Sequence, residues 1–234
     1  MLLFVDDRAP VQLVASAVDT ADRSGSYTFA GLNFGDDFSN RTLVALIHLA
    51  GPGDGSLNQT SCTIGGVSAA GDDNGDGDSS PAGRAGAGVW AAKPSGTSGT
   101  VVVNFTASSA AACAVYLYAV RDLGSATPFA TSVGPSGSGA ITSDPTFPAS
   151  MNGTLNVPND SVDGAVIFGA ATRANNTSAI TLVGMTQDYD VTLDSSHRIA
   201  GGYAYRLPQE TNRTVGLSTS TGNVIFGMCA KSFS

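Results

Sequence analysis

The feature that most constrains the fold is a succession of short apolar runs separated by turn residues. Typical runs are YTFAGLNF (27–34), GTVVVNFT (99–106) and NVIFGMCA (223–230), each of a length suited to one strand. The connecting segments are rich in Gly, Ser, Pro, Asn and Asp, as tight turns require. No segment of helix length has a convincing 3.6-residue period. The pattern therefore predicts an all-β protein.

Charged residues agree with this prediction and exclude some partners. The chain has a single glutamate, Glu210, and two lysines, Lys93 and Lys231, although these residue types normally populate exposed helix faces. A net charge of −8 argues against binding a nucleic acid backbone, which needs clustered Lys and Arg. No apolar run approaches the roughly 20 residues of a membrane-spanning helix. We therefore expect neither a nucleic acid partner nor a membrane.

The order of the apolar runs repeats along the chain. LVALIHLA, TIGGV and AVYLYAV are echoed by AVIFGAAT, TLVGM and VIFGMCA, and Pro94 and Pro208 each precede a Thr-Val step at the same distance. Such recurrence predicts two similar antiparallel β-sandwich halves in tandem, of jelly-roll or Ig-like type, or one larger sandwich built from them. The predicted division is an N-terminal arm and first strand (1–24), a first sandwich unit (25–133), a linker-like segment (134–145) and a second unit (146–234).

The cysteines and the amino terminus indicate where the chain folds. Cys62, Cys113 and Cys229 are odd in number and lie in apolar runs, which favours free thiols in a reducing cytoplasm over a disulfide framework. The opening MLLFVDDRAP lacks the basic start and the long apolar run of a secretory signal. We expect folding in a cytoplasm.

Groups suited to catalysis are few. His48 lies within an apolar run, where a hydrogen-bonded core or sheet-face histidine is expected. His197 follows Asp194 in LDSSHR, but neighbours in sequence do not supply the geometry of a catalytic triad. Asp188 and Asp190 are expected to face solvent from one strand. The sequence predicts no catalytic residue and no enzymatic activity.

The acidic segment GDDNGDGDSSP (71–81) is the candidate metal site. Asp72, Asn74, Asp76 and Asp78 match the first half of a calcium-binding loop, but the closing position, which needs a bidentate Glu, falls on Gly83. The favoured interpretation is a long acidic connection between strands, with Ca²⁺ binding as the alternative. No other cofactor is expected.

Two pairs of tyrosines are candidates for carbohydrate binding. Tyr116 and Tyr118 alternate along one run, as do Tyr203 and Tyr205, so each pair lies on one strand face. Exposed coplanar rings would stack on sugars. The favoured alternative is that these rings support the sandwich from within, as cross-strand aromatic residues commonly do.

One long stretch resembles a known class of proteins. TIGGVSAA, followed by GVWAAKPSGTSGTVVVNFT and AVYLYAV, is similar to β-sandwich structural proteins of tailed bacteriophage virions. Those proteins have an IGGV strand, a Gly-rich loop, a W-A-A-x-P-x-G-T-S-G hairpin and a VVVxF strand. The later TLVGMTQDYDV resembles a second stretch of the same class, so the likeness touches most of residues 25–233.

The resemblance implies a virion structural protein that binds other proteins. It implies foremost a capsid decoration, cement or head-fibre subunit, and next a tail component. The implied partners are the major capsid protein or other virion proteins, and the chain would form a homo-oligomer assembled onto the virion in the host bacterial cytoplasm. The competing class is a carbohydrate-binding or adhesin-like module, which needs an exposed tyrosine pair.

Overall fold

The computed structural model describes most of the chain, and its regular elements are all β-strands. The described residues are 10–52, 57–79, 83–106, 110–128, 130–133, 149–151, 165–174, 177–207, 213–219 and 225–233. The prediction of an all-β sandwich protein is confirmed. Within these residues there is no helix long and apolar enough to cross a membrane.

The first half of the chain forms a two-sheet sandwich, named here sandwich I. Its strands are β1 (Val11–Asp19), β2 (Ser26–Asn33), β3 (Thr42–Gly51), β4 (Asn58–Ile64), β5 (Val67–Ser68), β6 (Ala70–Ser79), β7 (Gly83–Ala92), β8 (Ser98–Thr106) and β9 (Ala112–Val120). Inner sheet I has the strand order β1-β9-β3-β7-β6, and outer sheet I has the order β2-β8-β4-β5. Neighbouring strands are antiparallel.

The second half forms sandwich II. Its strands are β10 (Ala130–Val133), β11 (Ala149–Met151), β12 (Ala165–Ala174), β13 (Ile180–Val183), β14 (Thr186–Thr192), β15 (Arg198–Leu207), β16 (Arg213–Thr219) and β17 (Ile225–Phe233). Inner sheet II has the order β10-β17-β12-β15-β14, and outer sheet II has the order β11-β16-β13. These pairs are antiparallel as well.

The two sandwiches share one topology. In sandwich I the first strand pairs with the last, β2 with β8, and β3 with β7; in sandwich II the same nesting joins β10 to β17, β11 to β16, and β12 to β15. This nesting is that of a long hairpin rolled into two sheets, which is the jelly roll. The structure therefore selects jelly roll over the Ig-like alternative, and the repeat read from the sequence corresponds to repeated strand pairing.

Burial separates inner from outer strands. All ten residues of β3 are buried, because this strand lies in a sheet that is covered on both faces. The outer strand β8 alternates between buried and more exposed residues, as expected for a sheet with one face toward solvent. An unbroken apolar run thus corresponds to an inner strand.

Three layers of apolar packing join four sheets. One core lies between the sheets of sandwich I and contains Tyr27, Leu43 and Val101. Smaller clusters, with Leu182 and Leu217 among them, lie between the sheets of sandwich II. The largest core lies between the two inner sheets and draws residues from both halves. The order of layers is outer I, inner I, inner II, outer II.

The chain passes from one sandwich to the other earlier than the predicted division. Residues 130–133, placed in the first unit by the sequence, form β10 and pair with β17 of inner sheet II. At the amino-terminal side, β1 pairs with β9 and so belongs to sandwich I. The predicted linker, 134–145, lies outside the described residues.

Candidate functional site

The space between the two inner sheets is narrow on one side and wide on the other. On the narrow side, Cα atoms of β17 come within 8 Å of those of β6 and β7. Packed sheets are normally about 10 Å apart, and the small side chains of Ala87 and Ala91, which face the seam from β7, permit this closer approach. On the wide side, aromatic rings separate β9 from β14 and β15. We call the space between the inner sheets the seam; its wide side ends at the edge strands β1 and β14.

A chain of four hydrogen-bonded groups crosses the seam. Nδ1 of His48 lies 2.9 Å from Oγ1 of Thr172, and Nε2 lies 2.7 Å from the hydroxyl of Tyr189. The Thr172 hydroxyl donates to the carbonyl of Gly86 at 2.8 Å. Its oxygen must therefore accept from Nδ1–H, so Nε2 accepts the proton of the Tyr189 hydroxyl. His48 and Gly86 belong to sandwich I, and Thr172 and Tyr189 belong to sandwich II. These hydrogen bonds therefore join the two sandwiches.

The groups of this network are neutral. Burial lowers the pKa of His48 to about 3, because the imidazolium would have to leave water. Burial also raises the pKa of Tyr189 well above its ordinary value. The prediction of a hydrogen-bonded core histidine at position 48 is confirmed.

The first candidate tyrosine pair lies inside the seam rather than on the surface. Tyr118 is fully buried, and the ring of Tyr116 stacks on Tyr189 with centroids 3.6 Å apart. Neither ring offers a free face to a sugar, so the structure corrects this half of the carbohydrate-binding prediction. Tyr203 and Tyr205 are half-buried and pack against the same core. The favoured alternative, rings that support the sandwich, describes Tyr116 and Tyr118.

The second histidine organises a turn. Nδ1 of His197 lies 2.8 Å from both carboxylate oxygens of Asp194, which also accepts the backbone N–H of Ser196. Burial opposes ionisation of Asp194, but bonds from His197 and Ser196 lower its pKa to about 2. The Ser196 hydroxyl also lies at Nδ1, at 3.2 Å. A triad needs the serine at Nε2 and the acid at Nδ1, so this cluster is not one.

The carboxylates of Asp188 and Asp190 lie in different environments. Asp190 forms an ion pair with Arg198, with 2.6 Å between Oδ1 and Nε. Asp188 is exposed and lies at a β-bulge between Gln187 and Tyr189. The expectation that both carboxylates face solvent from one strand is therefore wrong for Asp190, because its ion pair holds it half-buried.

The acidic segment is itself a strand. Residues 70–79 form β6 at the edge of inner sheet I and pair with β7, with a bulge between Asp73 and Gly75. This corrects the interpretation of the segment as a connection. Six strand steps separate positions 72 and 78, roughly 20 Å, so the backbone does not curl round one ion. The side chains of the candidates Asp72, Asn74, Asp76 and Asp78 lie outside the described residues, and Ca²⁺ binding stays a prediction.

A buried lysine lies on the strand that packs against β6. Lys231 is 1 % exposed on β17, between Cys229 and Phe233, which both belong to the core of the seam. Alternation along the strand therefore directs Lys231 toward sandwich I. A buried ammonium is stable only when it is paired and hydrogen-bonded.

One buried polar residue of structural importance was not predicted from the sequence. Arg41 is buried, and its guanidinium donates to five backbone carbonyls, with the shortest bonds to Gly96 at 2.7 Å and Pro94 at 2.8 Å. It thereby joins the loop after β2 to the loop after β7. The signal in the sequence was an arginine directly before the apolar run 42–50. A cleft of about 490 Å³ lies beside these loops and is lined by Gln12, Leu13, Val14, Asn33, Gly35, Asp36 and Thr97.

The wide side of the seam leaves apolar side chains in contact with solvent. Leu13 and Val18 on β1 are 42 % and 52 % exposed, and Val191 on β14 is 38 % exposed. Each is paired in register with a residue of the central core: Leu13 with Tyr118, Val18 with Ala114, Val191 with Ile199. Because paired residues share a face, all three side chains point toward the seam from its open edge.

Thiols and metal ligands do not converge in the described part of the chain. Cys62, Cys113 and Cys229 are free and buried, which confirms the prediction of free thiols. Burial raises the pKa of the Cys62 thiol to about 12, which leaves it unreactive. No group of three or more His, Cys, Asp or Glu residues that could hold a metal ion occurs among the described residues.

Comparisons with known proteins include a remote likeness to a solved structure. No family model matches the chain. No curated protein matches it either. A solved structure described as the X-ray structure of Melon necrotic spot virus is similar to this chain with a TM-score of 0.24 and 9 % identity, covering 96 % of each chain. A likeness of this degree carries no argument about fold or function.

Proposed function

We propose that the chain is a structural protein of a tailed bacteriophage virion that acts by binding other proteins. The supporting observation is that buried polar side chains bond within the fold while apolar side chains are exposed at one edge. His48, His197 and Arg41 form hydrogen bonds inside the fold, whereas the apolar strip Leu13, Val18 and Val191 faces solvent. Buried polar groups with their bonds satisfied stabilise a fold, and exposed apolar patches mark contacts with other molecules.

Within the virion, a capsid decoration, cement or head-fibre subunit is the foremost assignment, and a tail component is the alternative. The sequence resemblance supports both. Two jelly rolls joined through a shared core form a stiff unit suited to a repeated surface position, and jelly rolls occur in capsid proteins. Its partner would be the major capsid protein, and assembly would take place in the bacterial cytoplasm.

A carbohydrate-binding module is less well supported. Jelly rolls also occur in lectins, so the topology alone does not separate the two classes. The tyrosine pair that would bind sugar, Tyr116 and Tyr118, is buried. Tyr203 and Tyr205, half-buried, are what remains of that hypothesis.

The test is the protein composition of purified particles. Virions from a lysate that expresses this chain are banded on a density gradient, washed in high salt, and analysed by quantitative mass spectrometry. A decoration or cement subunit should be present in a fixed ratio to the major capsid protein, whereas a tail component should be present in few copies. Absence of the chain from washed particles would refute the proposal.

Particles lacking the chain provide the matched control. Purified chain added to such particles should bind to heads in the first case and to tails in the second, as seen by immunogold labelling. Binding to neither would count against a virion role even if traces of the chain co-sediment with native particles.

A further inference from the structure

The edge strand β1 carries features that match a second copy of itself. We propose that the chain forms a homodimer in which β1 pairs antiparallel with β1 of another copy, about a two-fold axis that passes by Ser16. Inner sheet I would then continue across both molecules. This inference rests on the geometry of β1 and does not depend on the proposed function.

The first observation is that β1 lies at the edge of its sheet. Among the described strands it pairs with β9 alone, so its other side presents a row of backbone N–H and C=O groups. Such a row is a ready template for another strand. An antiparallel strand is particularly suited to pair with its own copy, because a two-fold axis generates antiparallel pairing and an isologous interface.

The second observation is where the exposed apolar side chains lie. Four large hydrophobic residues among the described ones are exposed: Leu13, Val18, Val67 and Val191. Three of them point into the open edge of the seam, and two of these are on β1. Single exposed hydrophobic residues are ordinary, but three at one edge beside unpaired backbone indicate a contact surface.

The third observation is a β-bulge that makes β1 self-complementary. Leu13 and Val18 are five positions apart and would face opposite sides of a regular strand. The bulge between Leu13 and Ala15 inserts one extra residue, so both face the seam, opposite Tyr118 and Ala114 of β9.

If the pairing of two β1 strands keeps this bulge, Ser16 lies opposite Ser16 of the second copy. Leu13 then lies opposite Val18 of the second copy, and Val18 opposite Leu13. Each exposed apolar side chain on β1 thus meets an apolar side chain on the same sheet face, which is the pairing that stabilises antiparallel strands. The pattern fits a second copy rather than an arbitrary strand, because it is symmetric about one residue.

Charge does not oppose this pairing, although the chain carries −8 overall. Asp19 is the one charged residue of β1, and it forms an ion pair with Arg23 at 2.9 Å. Across the opening, Asp190 is paired with Arg198. The charge of the interface strand β1 is therefore balanced, and the exposed Asp188 lies across the seam on β14 rather than on β1. Like-charge repulsion, which discourages association of an acidic protein, is thus not built into β1 itself.

A single engineered cysteine tests the axis. In Ser16→Cys the two thiols would lie opposite each other, at the Cα separation of about 4.5–5.5 Å that a disulfide accepts. The native cysteines are buried and should not compete. Under mild oxidation we expect Ser16→Cys to migrate as a covalent dimer on non-reducing gels, and the control Val67→Cys, exposed on β5, to remain monomeric. Failure of Ser16→Cys to cross-link would overturn the proposed axis.

Sedimentation velocity tests the association itself. The unmodified chain should sediment as a dimer, and Leu13→Asp and Val18→Asp should each raise the dimer dissociation constant by about ten-fold or more, since a buried unpaired charge is costly. Val67→Asp, which alters an equally exposed residue elsewhere, should leave the dimer intact. A monomer at all concentrations, a trimer, or equal effects of all three variants would refute the proposal. Both experiments use purified chain, so their outcome is independent of the virion tests.

Discussion

At the residue scale, small side chains make room for large polar ones. Trp90 donates its indole N–H to Gln59 at 2.7 Å, within the core of sandwich I. Gln59 fits there because position 88 is glycine: a Cβ on Gly88 would overlap the Gln59 amide. The requirement for glycine thus comes from a side chain on another strand and not from backbone conformation.

Gly88→Ala should therefore destabilise the fold by about 1–3 kcal/mol, the usual cost of inserting atoms into a filled core. Chemical denaturation followed by the fluorescence of Trp90 measures this directly. In a Gln59→Ala background the same substitution should cost much less, because the overlapping amide is gone. Equal costs in both backgrounds would show that the overlap with Gln59 is not the cause.

At the element scale, strands of different sandwiches are joined by buried neutral polar groups. His48 on β3 bonds to Thr172 on β12 and to Tyr189 on β14. Each of these strands alternates its faces, so their polar side chains meet only because both inner sheets direct that face toward the seam. A charged imidazole has no compensating carboxylate in this bond network, so protonation of His48 should open it.

The stability of the fold should consequently fall on mild acidification. The ordinary pKa of histidine, 6.5, applies in the unfolded chain, whereas the pKa of His48 is about 3 in the folded chain. Between these values the unfolded chain binds the extra proton, so the free energy of unfolding rises with pH and falls as pH is lowered. Urea midpoints measured from pH 7 down to about 4.5 should decline in the native protein and decline less in His48→Gln.

The range from pH 7 to 4.5 excludes the titration of the carboxylates with lowered pKa, Asp19 and Asp194. Asp194, with its pKa lowered from 3.8 to about 2, contributes stability that is lost only below that range. If His48→Gln and the native protein lose stability in parallel between pH 7 and 4.5, His48 is not the group responsible.

At the scale of the whole molecule, the two jelly rolls share their largest core. Val44, Tyr116, Phe168 and Phe233 belong to one apolar cluster although they come from different halves of the chain. Separating the halves would expose both inner sheets, whose seam-facing residues are apolar. A repeat duplicated in sequence is therefore not a pair of independent domains.

We expect the halves to unfold in one transition. Trp90 fluorescence reports on sandwich I, because Trp90 is the single tryptophan of the chain and lies in β7. Far-UV circular dichroism reports on all strands. The two urea curves should coincide, since loss of either half removes the cover of the other. Two separated transitions would contradict the shared core as the dominant source of stability.

Several features followed from the sequence with little help from the fold. Turn residues between short apolar runs predict strands, and two of these runs form the fully buried strands β3 and β9. The position of His48 within such a run predicts a satisfied core histidine. The repeat is visible in the sequence because both halves contain corresponding strands and turns in the same order.

The structures of the acidic segment and of the Tyr116/Tyr118 pair were harder to predict from the sequence. Asp and Gly favour turns, yet residues 70–79 form an edge strand because pairing with β7 prevails over local preference. Tyr116 and Tyr118 alternate as exposed rings would, and sequence could not place them against a second inner sheet. Arg41 gave almost no signal, because its five acceptors are backbone carbonyls, which carry no residue-type pattern, and two of them lie in the distant loop after β7.

The sequence by itself determined the class of element, most of the strands, their recurrence in two similar halves and the burial of the thiols, because these depend on local periodicity and composition. Only the tertiary structure decided that the halves stack by their inner sheets, that His48 bonds across the seam, and that β1 is left at an open edge. Those properties depend on which sheet faces meet, and side chains far apart in the chain determine this by their size: small alanine side chains allow close approach on one side, and tyrosine rings hold the sheets apart on the other.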